Sequence, residues 1–337
     1  MTIRKGKCKV THVGYYDDEY VYDIGMKNGD HNWFFGNNIL LKNTDSAYFS
    51  VYEAMKADGL DYDLNRDETI ALYDNLCNQV NNTFPEFMNN RFSTGLERGA
   101  IMNAERENLS DYGLFIKKKR YVMNLYDKDG KRLDKNGKRG KMKAMGIEIK
   151  RSDTPKIVQN VLTEALELLL SGKPEKEVLE VLIEFKRNIL DISPWKIARP
   201  CGANAVTHYT NEYNSWMEGK VKKKPRLPGA IAGAIHYNQL LDMHGEDHLP
   251  RIGDGSKVFN CKLKRNNSGF NCISYPTDMT HFPKWFETLP YDMDSTIETV
   301  FLKKVDNIFG VLDWDLRILK GNSNFFNNFV EDDGTDF

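Results

Sequence analysis

The feature that most constrains the fold is a helical signal with defined ends that begins at residue 154. Thr154 is a residue type that caps helices, and Pro155 presets the backbone for a first helical turn. Ile157, Val158, Leu162, Ala165, Leu166 and Leu169 then recur at the spacing that gathers apolar side chains on one face, and Gly172 stops the run. A second helix, about 174–190, follows the same logic with Pro174 at its start.

Upstream the pattern changes. Residues 1–43 read as β-rich: Val21-Tyr22-Asp23-Ile24 and Trp33-Phe34-Phe35 are short apolar or aromatic runs, bounded by Asn28-Gly29-Asp30 and Gly36-Asn37-Asn38. Ala47-Tyr48-Phe49-Ser50-Val51-Tyr52 reads as a buried strand, 66–92 as a helix, and 115–127 as a strand leading into a Gly- and Lys-rich hairpin or loop to about 143. Beyond 195 short apolar segments alternate with Gly, Pro and Asn turns, and the last fifteen residues read as a flexible acidic, aromatic tail. The expected class is α+β.

With 337 residues the chain can build two or three domains, and 40% hydrophobic with 28% charged residues is an ordinary soluble composition. No run of eighteen apolar residues exists, and the basic N-terminus lacks the apolar core of a secretory signal, so no membrane partner is expected. Cys8, Cys77, Cys201, Cys261 and Cys272 are scattered, with no CxxC pair; the expectation is a reduced, intracellular protein without structural zinc. Net charge is −1, yet residues 117–151 hold fourteen Lys or Arg against four Asp or Glu, and Lys220–Arg226 forms a second cluster. Segregated charge of this kind suits one basic surface facing phosphate, although a single Lys run is more readily explained as solvated loop charge.

Three motifs give these segments chemical meaning. Val21–Gly25, Asp30-His31-Asn32-Trp33-Phe34 and Gly36–Thr44 resemble, in order and spacing, the end of an intein, at a length similar to the C-terminal fragment of a naturally split intein. The resemblance implies that the Thr44 hydroxyl takes the upstream chain as an ester, that the Asn43 amide cyclises on its own carbonyl to release residues 1–43, and that His31 moves protons. Asp23 matches an aspartate that tunes the nucleophile, and Lys42 stands where most inteins carry a penultimate His.

The rest resembles the C-terminal part of a family B DNA polymerase of the T-even phage type. Thr44-Asp45-Ser46 is similar to the second half of the family's Asp-Thr-Asp-Ser motif, whose first Asp would end a separate upstream chain. Lys118-Lys119-Arg120-Tyr121 matches a Lys-Lys-Arg-Tyr motif on a palm strand, and Glu105-Arg106-Glu107 resembles an acidic pair beside the metal site; for that pair solvated charge is an equal reading. Met145-Gly146-Ile147-Glu148 followed by Arg151-Ser152-Asp153-Thr154-Pro155-Lys156 resembles the passage from palm to thumb.

What the resemblance implies is a two-Mg²⁺ nucleotidyl transfer in which Asp45 is a metal ligand and Glu105 and Glu107 lie nearby. It implies DNA contacts from Lys118, Lys119, Arg120 and Tyr121, and phosphate contacts from Arg151 and Lys156. It divides the chain into an intein fragment (1–43), a palm portion (44–148), a thumb (149–322) and a tail (323–337) whose aromatics would dock on a sliding clamp. The partners implied are primer–template DNA, dNTP and an upstream polymerase fragment bearing the N-terminal intein half, in the cytoplasm of an infected bacterial cell. Alone the chain is expected to be inactive. The alternative is a non-catalytic DNA- or sliding-clamp-binding module.

Overall fold

The computed structural model describes residues 33–36, 39–42, 48–60 and 64–320. Asp23, His31, Asn43, Thr44, Asp45, the Val21–Ile24 run and the tail from 321 lie outside the described residues. The chain divides into two compact units, Met1–Leu72 and Tyr73–Phe337.

In the first unit β1 (Trp33–Gly36) pairs antiparallel with β2 (Ile39–Lys42), Trp33 opposite Lys42 and Gly36 opposite Ile39, so the turn signal at Asn37-Asn38 falls between paired strands. The strand expected over 47–52 does not form. Residues 48–51 carry no strand pairing, Tyr48, Phe49 and Tyr52 are exposed, and Tyr52–Ala57 is a helix, α1. The Ser50 hydroxyl accepts from the Tyr52 N–H at 3.2 Å, and Glu53, Ala54, Met55 and Lys56 are all good helix formers. Local chemistry therefore outweighs the aromatic content. Helix α2 (Arg66–Phe92) follows as expected; it begins in the first unit, belongs from Tyr73 onward to the second, and carries Pro85 inside it.

In the second unit the short α3 (Leu96–Gly99) leads into a four-stranded antiparallel sheet. Its strands are β3 (Asn108–Lys117), β4 (Arg120–Lys128), β5 (Lys131–Arg132) and β6 (Lys141–Met145), with β4 paired to the other three. The single strand expected over 115–127 is two, because the chain reverses at Lys118-Lys119 with Lys119 at φ +63°. No Gly or Asn marks that reversal, which is why the pattern reads straight through it. The Asp129-Gly130 turn after β4 is the conventional kind, both residues having positive φ.

Helices α4 (Lys156–Leu169) and α5 (Glu175–Asn188) match the helical signal. Buried Val158, Val161, Leu162, Ala165 and Leu166 form one face of α4, and Val178, Leu179 and Leu182 one face of α5. Each fully buried Val or Leu among them contributes on the order of 1.5–3 kcal/mol of transfer free energy. Gly172, at φ +73°, ends α4: its N–H donates to the Leu169 carbonyl and that of Lys173 to Leu168, so orphan carbonyls of the last turn are satisfied. The start differs from expectation. Pro155 takes the cap position, and the Thr154 hydroxyl is buried without a hydrogen-bond partner, so it does not cap.

The region beyond 195 holds more helix than its turn-rich sequence announces. A three-stranded sheet of β7 (Arg199–Ala203), β8 (Ser256–Lys262) and β9 (Cys272–Pro276) is accompanied by α6 (Val206–Met217) and α7 (Gly229–His244). Helix α7 packs on β9 so closely that a Cβ on Gly233 would sit 2.5 Å from the Ser274 backbone nitrogen. Short α8 (Lys284–Glu287) precedes α9 (Met293–Ile297), a π-helical segment over Glu298–Leu302, and α10 (Lys303–Phe309). Two cores result. One joins Val122 and Ile147 to α4, α5 and 297–319; the other lies between α7 and the three-stranded sheet. Cys77, Cys201, Cys261 and Cys272 are free thiols, and among the described residues no helix is long and apolar enough to cross a membrane.

Candidate nucleic-acid interface

The β3–β4 turn carries Lys118 and Lys119 to the surface. Beside it runs an apolar row across three strands: Phe115 opposite Tyr121, and Tyr121 opposite Met145. Phe115 and Tyr121 stack at 5.7 Å between ring centroids, and Phe115 and Met145 are exposed. An apolar shelf next to cationic side chains matches the two surfaces of a nucleic-acid strand, sugar and base edges on one side and phosphate on the other.

Arg120 does something different. One of its terminal nitrogens lies 2.6 Å from both carboxylate oxygens of Glu148, and its Nε donates to the Gly146 carbonyl at 3.1 Å. Glu148 is buried and also accepts from Asn307 Nδ2 at 3.1 Å. Gly146 has φ +62°, and a Cβ there would lie 2.3 Å from the Lys119 carbonyl oxygen. The motif around Lys118 and the motif around Gly146 are therefore one object: the second supports the turn of the first from beneath. Sequence spacing names both but does not reveal that they touch.

Arg106 is likewise internal. Its Nε donates to Asp74 at 2.6 Å and a terminal nitrogen to buried Asp127, and these partners hold the guanidinium above its ordinary pKa against the desolvation that opposes it. Its neighbours Glu105 and Glu107 are exposed. Glu105 accepts from Asn103 at 2.7 Å; Glu107 accepts from Asn108 at 2.7 Å and lies 3.7 Å from the Lys143 ammonium. Asp74 and Asp127, which order this strand entry, carry no motif signal in the sequence.

A third group gathers at the start of α4. Asp153 receives Arg151 at 2.9 Å, Arg199 at 3.0 Å and Lys304 at 3.6 Å. The Arg151 hydrogen bond foremost, then the charges of Lys304, Arg151 and Arg199, bring the Asp153 carboxyl down to about 2 despite partial burial. Three cations around one carboxylate leave a positive surplus beside exposed Lys156. Arg199 and Lys304 come from segments 46 and 151 residues further along the chain, and their convergence on Asp153 is set by the tertiary fold.

Comparison with known proteins meets this same stretch. Residues 98–201 match the model of DNA polymerase family B. The matched segment contains Arg106 with its partner Asp127, the Lys118–Tyr121 turn, Gly146 and Glu148, and Asp153 with Arg151 and Arg199; Asp74 and Lys304 lie outside it. The chain is 27% identical over 251 residues to the DNA-directed DNA polymerase of Enterobacteria phage T4, covering 72% of this chain and 26% of that protein. It is 28% identical over 227 residues to the DNA-directed DNA polymerase of Escherichia phage RB69, covering 66% of this chain and 23% of that protein. The chain thus spans about a quarter of the length of these relatives. Among the described residues no cluster of three His, Cys, Asp or Glu side chains could hold a metal ion.

Proposed function

We propose that this chain is the C-terminal portion of a replicative DNA-directed DNA polymerase, joined to its N-terminal portion by protein trans-splicing. The observation that carries the polymerase reading is the union of the Lys118–Tyr121 turn with Gly146 and Glu148 inside the segment similar to family B. A solvated Lys run needs no buried carboxylate and no glycine cradle beneath it; a turn that must hold two ammonium groups against a DNA strand does.

In this reading Lys118 and Lys119 engage the primer strand, Tyr121 and Phe115 offer the apolar shelf, and Arg120 orders the turn through Glu148. Arg151 and Lys156 take phosphates of the duplex product at the start of α4. Asp45 would supply a hard oxygen donor of the kind Mg²⁺ selects. Bound Mg²⁺ would neutralise charge on the transferring phosphoryl group and activate the attacking hydroxyl. The partner aspartate belongs to the upstream fragment, so this chain alone is expected not to incorporate nucleotides. Residues 1–43 serve as the C-terminal half of a split intein, with Asn43, Thr44, His31 and Asp23 in the roles described above; the β1–β2 hairpin ending at Lys42 is compatible with that. The aromatic tail is proposed to contact a sliding clamp.

The test is co-expression with a polymerase fragment that ends in Gly-Asp fused to an N-terminal intein half, followed by mass spectrometry and primer extension. A ligated product running into Thr44, a free peptide 1–43 and template-directed extension by the ligated protein are expected. Ligation without extension would sink the polymerase reading and leave a DNA- or clamp-binding module. Extension by a non-covalent pair, with the 337-residue chain intact, would remove the splicing step alone.

A further inference from the structure

A groove of about 300 Å³ opens between the start of α4 and the three-stranded sheet. That is the small end of the range of ligand-sized pockets, roughly 300–1,000 Å³. Trp195, Phe259, Tyr275 and Phe282 line it. These rings fix one another: Trp195 and Phe282 have centroids 5.4 Å apart, as do Phe259 and Tyr275, and the Tyr275 hydroxyl donates to the Trp195 carbonyl at 2.5 Å. Tyr275 is buried, whereas Trp195, Phe259 and Phe282 are half-buried and keep open ring surface.

Lys156 and Lys196 line the same groove, both exposed, and neither pairs with a carboxylate among the described residues. Lys156 opens α4, whose first turn has no side-chain cap, and the Thr154 hydroxyl just before it is buried with no partner. Arg199, next to the lining residue Ala198 in the chain, and Arg151, which shares the Asp153 carboxylate with it, extend the positive surface.

We propose that this groove holds one unpaired nucleotide of a DNA strand, its base among the aromatic rings and its phosphate on Lys156 and Lys196. The proposal rests on the DNA-binding reading above and adds a site to it. Aromatic faces with flanking cations are the combination that binds unstacked nucleotides, because every base offers a π-face and every nucleotide a phosphate. A base still paired in a duplex cannot enter between the rings. A purely apolar peptide would fill the aromatic part and leave two unpaired lysines beside it without a role.

The experiment uses the full chain and two DNAs: a blunt hairpin, and the same hairpin with a short unpaired thymidine extension. Binding is followed by anisotropy. The extended hairpin should bind about tenfold more tightly, within what one stacked base contributes. Phe259→Leu and, separately, Lys196→Gln should each reduce that preference to about twofold or less while leaving blunt-hairpin affinity unchanged. Lys196 is exposed, so its variant tests the site even where Phe259→Leu disturbs the sheet. Equal affinity of the parent chain for both DNAs overturns the proposal and leaves the duplex-binding reading standing; failure to bind either DNA overturns both. A preference that survives both variants also overturns it. So does a chain dimer dissolved by Phe259→Leu with the preference intact, which would give the groove to a second copy.

Discussion

Arg120 and Glu148, 28 residues apart in sequence, meet with one guanidinium nitrogen 2.6 Å from both carboxylate oxygens, and the glutamate is only 2% exposed. The pair ties the β3–β4 turn to the chain that leaves β6 and to Asn307 of α10. A carboxylate so placed is stabilised while its partner is present and costly once it is not. Arg120→Ala should therefore destabilise the chain by about 3–5 kcal/mol. Replacing both partners, Arg120→Met with Glu148→Leu, should recover most of that loss, since no charge is then left buried. Urea unfolding of the three variants checks this; a loss below about 1 kcal/mol for Arg120→Ala would mark the pair as an ordinary surface contact.

Gly146 bears on the same turn by a steric route. At φ +62°, with the Lys119 carbonyl oxygen 2.3 Å from where a Cβ would stand, Gly146→Ala meets both backbone strain and a fixed backbone atom. Gly130, at φ +74°, has nothing within 4 Å of its Cβ position and meets the strain alone. Gly130→Ala is expected to cost roughly 1 kcal/mol and Gly146→Ala at least about twice that, with faster amide exchange at 118–120. Equal losses in the two variants would show that the backbone yields and that the approach is not needed.

Much of this was readable from sequence where the signal was local. The α4 and α5 pattern has a single apolar stripe with Gly172 as its stop, and it gave both helices. Helix α7 is not legible in the sequence because Ile231 to Tyr237 are buried consecutively, so no polar face sets a period. The Lys118-Lys119 reversal is hidden because its positive φ falls on a lysine. At the site, Lys118, Lys119 and Gly146 stood out by motif, but the commitment of Arg120 to Glu148, of Arg106 to Asp74 and Asp127, and of Arg199 and Lys304 to Asp153 depends on tertiary contacts that no spacing encodes.

His236 gives the second core a pH dependence. It is 2% exposed, stacked on Phe270 at 4.9 Å, and its Nδ1 lies 3.1 Å from the Cys272 carbonyl. A carbonyl only accepts, so Nδ1 carries the hydrogen and donates. Burial pushes the ring's pKa below the ordinary 6.5, with the Cys272 hydrogen bond opposing it in part. As pH falls through the ordinary value the unfolded chain takes up a proton that the folded chain does not, so stability declines from there until the folded ring also titrates. Urea midpoints at about pH 8 and about pH 5 should fall more steeply for the parent chain than for His236→Gln. Parallel declines would mean that other groups account for the acid sensitivity.

Lys119 separates a turn that touches DNA from one that only shapes the surface. Its ammonium is exposed, and its backbone is held in place by Gly146 beneath. If it meets a phosphate, Lys119→Ala removes one counterion-release event on binding. The slope of log affinity against log salt for a primer–template duplex should then become shallower by about 0.9, with affinity lowered at low salt for every sequence tried. Lys135→Ala, in the exposed loop between β5 and β6, serves as the control, with an expected change near zero. An unchanged slope for Lys119→Ala, with folding intact by urea unfolding, removes Lys119 from the phosphate contacts and moves the interface toward Arg151 and Lys156.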